Sequence, residues 1–308
     1  MQVTKKIKVI VGEPSGFCSG VKRAIAIVKQ EALKGKNNKS VYTLGPIIHN
    51  RGVVKELRDL GVRTLTKKFK SSKVQRFKSD NAPVVIIRSH GCAPEVISKF
   101  KNLGWRIIDA TCPYVKRIQN CAAELKNNGY TTIVVGDKHH PEVQGILGYA
   151  MPKAKVYDIK NWKLEIGNWK IKNVGIVGQT TISAEEFDKA VRSINHNNIK
   201  GIKVFNTLCK ESLKRQTTCQ EIAERVDLMI VIGSKNSANT LTLVDIARKV
   251  NHNVYQVENK SGLKNLKFDI SNLEFKNVGV IAGASTPQNT VLDVVREIKK
   301  ITTKGEIH

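Results

Sequence analysis

Lys8-Val-Ile-Val-Gly-Glu-Pro-Ser-Gly-Phe-Cys18, continued by Ser-Gly-Val-Lys-Arg, reads as a short apolar strand, a turn, a cysteine and the start of a helix. The same layout returns at Arg106-Ile-Ile-Asp-Ala-Thr-Cys112, continued by Pro-Tyr-Val-Lys-Arg, and at Lys203-Val-Phe-Asn-Thr-Leu-Cys209, continued by Lys-Glu-Ser-Leu-Lys-Arg. The cysteines are 94 and 97 residues apart in a chain of 308, so each copy occupies close to a third of the sequence. A Lys-Arg pair follows each cysteine, at Lys22-Arg23, Lys116-Arg117 and Lys214-Arg215. Self-similarity on this scale sets the architecture before any single element is considered.

Two further strand-to-loop junctions recur inside every third. The second junctions are Val41-Tyr-Thr-Leu-Gly-Pro-Ile-Ile-His49-Asn, Ile133-Val-Val-Gly-Asp-Lys-His-His140-Pro-Glu142 and Leu228-Met-Ile-Val-Ile-Gly-Ser-Lys-Asn-Ser237-Ala-Asn239. The third are Val84-Val-Ile-Ile-Arg-Ser-His90-Gly, Val174-Gly-Ile-Val-Gly-Gln-Thr180-Thr and Val278-Gly-Val-Ile-Ala-Gly-Ala-Ser285-Thr. The short apolar runs predict strands buried on both faces, hence parallel and covered by helices. Helices are expected over 94–103, 184–195 and 287–301. The fold class is therefore α/β, with three pseudo-symmetric lobes that each hold a small, mainly parallel sheet. The expected boundaries are 19–105, 106–201 and 202–302, with the N-terminal strand, 1–18, completing the third lobe. In open parallel sheets ligands gather beyond the carboxyl ends of the strands, and here those ends carry Cys, His, Thr, Ser, Asn and Glu in all three thirds.

Composition narrows the function. A hydrophobic content of 41% with 25% charged residues is that of an ordinary globular protein. The N-terminal apolar run is broken by Gly12 and Pro14, and no apolar stretch approaches the ~20 residues that span a bilayer. A cytoplasmic location without membrane attachment is expected. The net charge of +26 invites a nucleic-acid reading, but its Lys and Arg are spread along the chain apart from a cluster at 67–78. No zinc-finger spacing or RNA-recognition motif accompanies them. A basic surface suited to anionic ligands and acidic partners is the expectation, without specific nucleic-acid binding.

The six cysteines form no CxxC pair, so a metal site has to be assembled from distant segments. Cys18, Cys112 and Cys209 could join one histidine around zinc, or hold a [4Fe–4S] cluster by three irons and leave the fourth open. Composition does not separate these. Cys92, Cys121 and Cys219 lack the pattern and read as packing residues. His49, His90 and His140, with Ser237, Asn239 and Ser285, form a donor set without a committed carboxylate, which suits phosphate or diphosphate near helix N-termini. There is no Walker A sequence and no G-x-G-x-x-G run, so nucleotide binding has little support. Glu142 is the one acid in these loops. It reads equally as a proton donor or as a first-turn glutamate of a helix over 142–149.

Taken together, these segments resemble the 4-hydroxy-3-methylbut-2-enyl diphosphate reductases, the LytB/IspH family, over essentially the full length. The resemblance is carried by Gly16-Phe-Cys18-Ser-Gly-Val-Lys-Arg-Ala-Ile, His49-Asn, Ser89-His90-Gly, Asp109-Ala-Thr-Cys112-Pro, His140-Pro-Glu-Val-Gln-Gly145, Gln179-Thr-Thr181, Arg215-Gln216, Gly233-Ser-Lys-Asn-Ser237-Ala-Asn239 and Ala282-Gly-Ala-Ser285. It implies a trefoil around a central [4Fe–4S] cluster held by Cys18, Cys112 and Cys209, with one open iron. It also implies reductive loss of the substrate's allylic hydroxyl, giving isopentenyl and dimethylallyl diphosphate. His49, His90, His140, Ser237, Asn239 and Ser285 then correspond to diphosphate ligands, Glu142 to the proton donor, and Thr180 to part of the hydroxyl-side network. Where the family often has Ser-Ser-Asn this chain has Ser237-Ala238-Asn239, which leaves the backbone N–H of Ala238 to serve the diphosphate. A ferredoxin or flavodoxin suits so basic a surface as electron donor. The rivals are another three-cysteine cluster enzyme, quinolinate synthase-like, and a zinc- or cluster-bearing nucleic-acid-binding protein.

Overall fold

The computed structural model describes residues 7–34, 40–65, 82–164, 171–194, 199–264, 266 and 275–303. The basic cluster at 67–78, His196 and His308 lie outside them. In chain order, β1 (Lys8–Val11) comes first. It is followed by α1 (Ser19–Lys34), β2 (Val41–Leu44), α2 (Arg51–Asp59), β3 (Arg63–Leu65), β4 (Val84–Ile87), α3 (Pro94–Asn102) and β5 (Arg106–Asp109). Next come α4 (Pro113–Asn127), β6 (Thr131–Gly136), α5 (Pro141–Ala150), β7 (Ala154–Asp158), β8 (Lys163–Leu164), β9 (Asn173–Gly178), α6 (Ala184–Ile194) and β10 (Gly201–Phe205). The last stretch holds α7 (Lys210–Ala223), β11 (Leu228–Ile232), α8 (Ala238–Val250), β12 (Val254–Val257), α9 (Lys260–Lys264), β13 (Asn277–Ala282) and α10 (Gln288–Thr303).

The strands form three sheets, ordered β3-β2-β4-β5, β8-β7-β6-β9-β10 and β12-β11-β13-β1. All pairings are parallel except β7 with β8. The chain packs into two compact units. Ser19–Cys209 carries the first two sheets, and Met1–Cys18 with Lys210–His308 carries the third.

Local chemistry explains the element ends. The Val/Ile runs of β4, β6, β9, β11 and β13 are buried along nearly their whole length, as parallel strands covered on both faces must be. Proline opens α3, α4 and α5, where its missing N–H costs nothing. Helices α3 and α4 stop at Gly104 and Gly129, both at φ +76°, a left-handed conformation that a side chain resists. Among the described residues no helix is long and apolar enough to cross a membrane.

One feature differs from the sequence expectation. The strands that lead to the cysteines are not buried on both faces. Strands β1, β5 and β10 are sheet edges with half-exposed residues, so their apolar patterns are weaker. Strands β5 and β10, expected at the head of the second and third lobes, pair instead with β4 and β9 of the preceding sheets. A cysteine therefore follows the edge strand that ends each sheet. Strand β1 takes the same place beside β13, with Lys8 in register with Asn277.

The packing is tight where a strand has no side chain to offer. In Ser19–Cys209 the fully buried Leu125 fills the space over Gly175, where an added Cβ would lie 2.2 Å from Leu125 Cδ2. Gly175→Ala should cost about 1–3 kcal/mol by overpacking. Leu125→Ala should cost about 2–5 kcal/mol by leaving a cavity. In the Leu125→Ala background, Gly175→Ala should be close to neutral in urea unfolding. Equal penalties in both backgrounds would mean that the two residues do not share this space.

Candidate functional site

Each repeat cysteine lies immediately before a helix: Cys18 before α1, Cys112 before α4 and Cys209 before α7, three or four residues past the strand for Cys112 and Cys209 and seven past it for Cys18. Each is held by a backbone bond to the loop that follows the neighbouring strand. Cys112 N–H donates to the Ser89 carbonyl at 2.9 Å, Cys209 N–H to the Thr180 carbonyl at 3.1 Å and Cys18 N–H to the Ala284 carbonyl at 3.2 Å. The acceptors belong to the loops that carry His90, Thr180 and Ser285, so every cysteine is tied to a loop with a candidate substrate ligand. A helix N-terminus favours negative charge, which suits a thiolate ligand. At Gly20 an added Cβ would lie 2.6 Å from Cys112 Sγ, so the glycine leaves the sulfur its room. Three thiols at helix starts, with space kept at one of them, are a donor set that fits thiolate ligation of a soft metal or an iron–sulfur cluster.

The other cysteines have different surroundings. Burial pushes the thiols of Cys92 and Cys219 up to about 12, and Cys219 Sγ donates to the Leu243 carbonyl at 3.3 Å. Burial also raises Cys121. These groups stay protonated and behave as packing residues.

In Ser19–Cys209 the loops after β2, β4 and β6 bring His49, His90 and His140 together. Ring centroids are 5.0 Å apart for His49 and His90, 5.1 Å for His90 and His140, and 6.0 Å for His49 and His140. One ring nitrogen from each lies within 4.8 Å of the others. Ser89 Oγ donates to the Ile47 carbonyl at 3.2 Å and so ties the His90 loop to the His49 loop. Burial, with weaker repulsion from neighbouring positive charge, lowers all three imidazoles, His140 to about 4 and His90 well below its usual value. The N–H of Glu142 donates to His140 Nδ1 at 3.2 Å, which leaves the proton of the neutral ring on Nε2. His49 Nε2 and His90 Nδ1 are buried without a partner among the described residues. Neutral imidazoles can coordinate a cation or donate to an anion. The positive charge of Arg88, felt by all three rings, disfavours the cation.

Glu142 lies in the first turn of α5, two residues beyond His140, and is 1% exposed. Its carboxyl serves another loop rather than its own helix. Oε1 accepts from the Thr180 N–H at 2.7 Å and Oε2 from Thr180 Oγ1 at 2.8 Å. Burial raises the carboxyl to about 7, even though both Thr180 bonds favour the charged form. A carboxyl that titrates near neutrality can give up a proton at working pH, as a general acid must. The geometry therefore favours the proton-donor reading over the helix-start reading.

In the other unit, Ser237 caps α8, its Oγ accepting from Thr240 N–H at 3.4 Å while its own proton stays available. Ala238 is the first residue of α8, and first-turn N–H groups of a helix have no intrahelical acceptor. Asn239 Oδ1 accepts from Ala284 N–H at 3.1 Å and Nδ2 donates to Ser212 Oγ at 2.8 Å, which ties it to the loop that presents Ser285. An amide has a second N–H, so these bonds are compatible with a ligand role.

Two arginines from the recurring Lys-Arg pairs also have roles that their spacing did not disclose. Arg23 Nη1 donates to the Thr111 carbonyl at 3.1 Å, directly before Cys112. Arg215, 1% exposed, donates to the carbonyls of Pro14 at 2.7 Å, Gly16 at 2.8 Å and Ala282 at 3.0 Å, clasping the loop before Cys18. The recurrence of the pair was the available signal.

The chain is similar to known proteins along nearly its whole length. The chain is 40% identical over 296 residues to 4-hydroxy-3-methylbut-2-enyl diphosphate reductase of Aquifex aeolicus, covering 96% of this chain and 97% of the relative. It is 38% identical over 299 residues to the enzyme of the same name from Dictyoglomus turgidum, covering 96% and 97%. A solved structure of (E)-4-hydroxy-3-methyl-but-2-enyl diphosphate reductase, described as the terminal enzyme of the non-mevalonate pathway, matches at 40% identity and TM-score 0.65 over 96% of this chain and 99% of that one. The reductase structure from Plasmodium falciparum, at 24% identity, matches in fold with TM-score 0.82 over 94% and 87%. The profile of the family described as LytB protein matches residues 9–299, nearly the whole chain, and with these relatives it decides against other three-cysteine enzymes: the protein is a member of the LytB family.

Proposed function

We propose that this chain catalyses the reaction its relatives are named for, the reductive removal of the allylic hydroxyl of 4-hydroxy-3-methylbut-2-enyl diphosphate. Substrate, two electrons and two protons give water and either isopentenyl or dimethylallyl diphosphate. The observation that carries the reading is the pairing, at the start of one helix, of a buried near-neutral carboxyl, Glu142, with His140 of a three-imidazole cluster. One supplies a proton and the other holds an anion, the two needs of this substrate.

Cys18, Cys112 and Cys209 would hold a [4Fe–4S] cluster by three irons. That group supplies single electrons and a Lewis-acidic iron without a protein ligand. His49, His90 and His140 donate to the diphosphate, joined by Ser237, the Ala238 N–H and Ser285, and so aim the hydroxymethyl end of the substrate. Asn239 keeps the Ser285 loop in place and offers its second amide N–H to the diphosphate. Thr180 orients the Glu142 carboxyl, and Glu142 gives its proton to the departing oxygen, which leaves as water. A ferredoxin or flavodoxin delivers the electrons in the cytoplasm, its acidic face meeting a chain of net charge +26.

Anaerobic turnover of the allylic diphosphate with a reduced donor, with iron and sulfide measured on the same sample, tests the reading. Colourless protein with full zinc content and no turnover would overturn it. Cys112→Ser should lose most cluster iron and all turnover, whereas Cys219→Ser should keep both. Full cluster in both variants would refute the ligand assignment.

Glu142→Gln should retain cluster and diphosphate affinity while turnover falls about 10²- to 10⁴-fold. Because the acid form of Glu142 is the active one and its carboxyl is raised to about 7, wild-type turnover should decline as pH rises through neutrality. A rate that stays level to pH 9 would remove Glu142 from the proton-transfer step.

A further inference from the structure

The imidazole cluster converges on a region suited to an anion, yet none of its rings brings a charge. His140 takes the Glu142 N–H on Nδ1, and His49 Nε2 and His90 Nδ1 are buried without partners among the described residues. A diphosphate held only by neutral donors in a half-buried site would lose much of its hydration with no opposite charge to offset the loss. The cations of the surrounding loops can be taken in turn. Lys160 pairs with Asp137 at 2.6 Å, and Lys138 faces Asp158 at 3.8 Å. Both lysines are thereby partly neutralised.

Arg88 remains. It follows β4 directly and opens the turn that carries His90, its carbonyl accepting from Gly91 N–H at 3.0 Å. No carboxylate among the described residues lies within ion-pair distance of it. Its guanidinium rests against the loop after β2: an added Cβ at Gly45 would lie 2.7 Å from Nη1 and 3.1 Å from Cζ. That loop carries His49. One arginine thus bridges the segment that presents His90 and the segment that presents His49.

We infer that Arg88 supplies the fixed positive charge of the diphosphate subsite whose neutral donors are His49, His90 and His140. The inference rests on reading this cluster as the diphosphate subsite. Burial lowers the Arg88 pKa from its usual value, but a guanidinium stays charged throughout the working range. The nearby Cys92 thiol, pushed up to about 12 mainly by burial, does not neutralise it. Arg88 also lowers each of the three imidazoles; around His140, Asp137 acts in the opposite direction and Lys160 in the same one. Burial is the main reason the rings are neutral and Arg88 adds to it, while its own charge does not change across neutral pH.

The test is calorimetric binding of inorganic diphosphate to intact, cluster-loaded protein, with the wild type compared with Arg88→Gln, Arg88→Lys and His90→Gln. At pH 7.5 Arg88→Gln should bind about 10- to 100-fold more weakly. Arg88→Lys, which keeps the charge without the planar fork, should stay within about fivefold of wild type, and it carries the test alone if Arg88→Gln does not fold. Wild-type affinity in Arg88→Gln, or a loss in Arg88→Lys as large as in His90→Gln, overturns the inference. Equal binding by wild type and His90→Gln would instead fail the imidazole subsite itself, and Arg88's place in it.

Discussion

The organisation of this chain depends on one repeated interaction, the parallel pairing of an exposed edge strand with a buried neighbour, followed by a backbone bond between the segments that leave the two strands. Strands β5, β10 and β1 run beside β4, β9 and β13, and in the segment after each the cysteine N–H closes on a carbonyl of the adjacent loop. Backbone bonds of this kind are rigid because the strands behind them are packed on both faces. A thiol attached there has little freedom, and its helix begins at the next residue. Edge strands usually invite unwanted pairing. Here the edge is where the chemistry is anchored.

The second constraint is electrostatic. Burial lowers three imidazoles and raises one carboxyl to about 7, shifting both kinds of group towards their uncharged forms. The Thr180 N–H and hydroxyl each donate to one oxygen of the Glu142 carboxyl and so orient it. Low polarity thus acts in the same way on the imidazole cluster and on the glutamate beside it.

Much of this was legible in the residues. The threefold recurrence of strand, turn and cysteine announces three sheets, and the Val/Ile runs of β4, β6, β9, β11 and β13 announce their buried centres. His49, His90 and His140 stood out because each follows such a run. What escaped was whatever depends on partners distant in sequence. The membership of β5 and β10 in the preceding sheets follows from register, and the short patterns of edge strands carry little register information. Asn239 stands out as a ligand by type, whereas its bonds to Ala284 and Ser212, which hold the Ser285 loop, depend on residues 45 and 27 positions away. Arg215 resembles one more basic surface residue, yet it lies in the interior with three carbonyls around it. The Lys-Arg recurrence marked it without explaining it.

The place of β1 bears on how the protein is made. A ribosome releases Lys8 long before Asn277, yet these residues are register partners, and the turn approaching Cys18 is gripped by Arg215 and Ala284 from the far end of the chain. Domains tend to fold in the order they are synthesised. This unit cannot, because its first strand has no neighbour until its last strand has emerged. The thiol of Cys18 therefore acquires its native setting only after β13 has been synthesised.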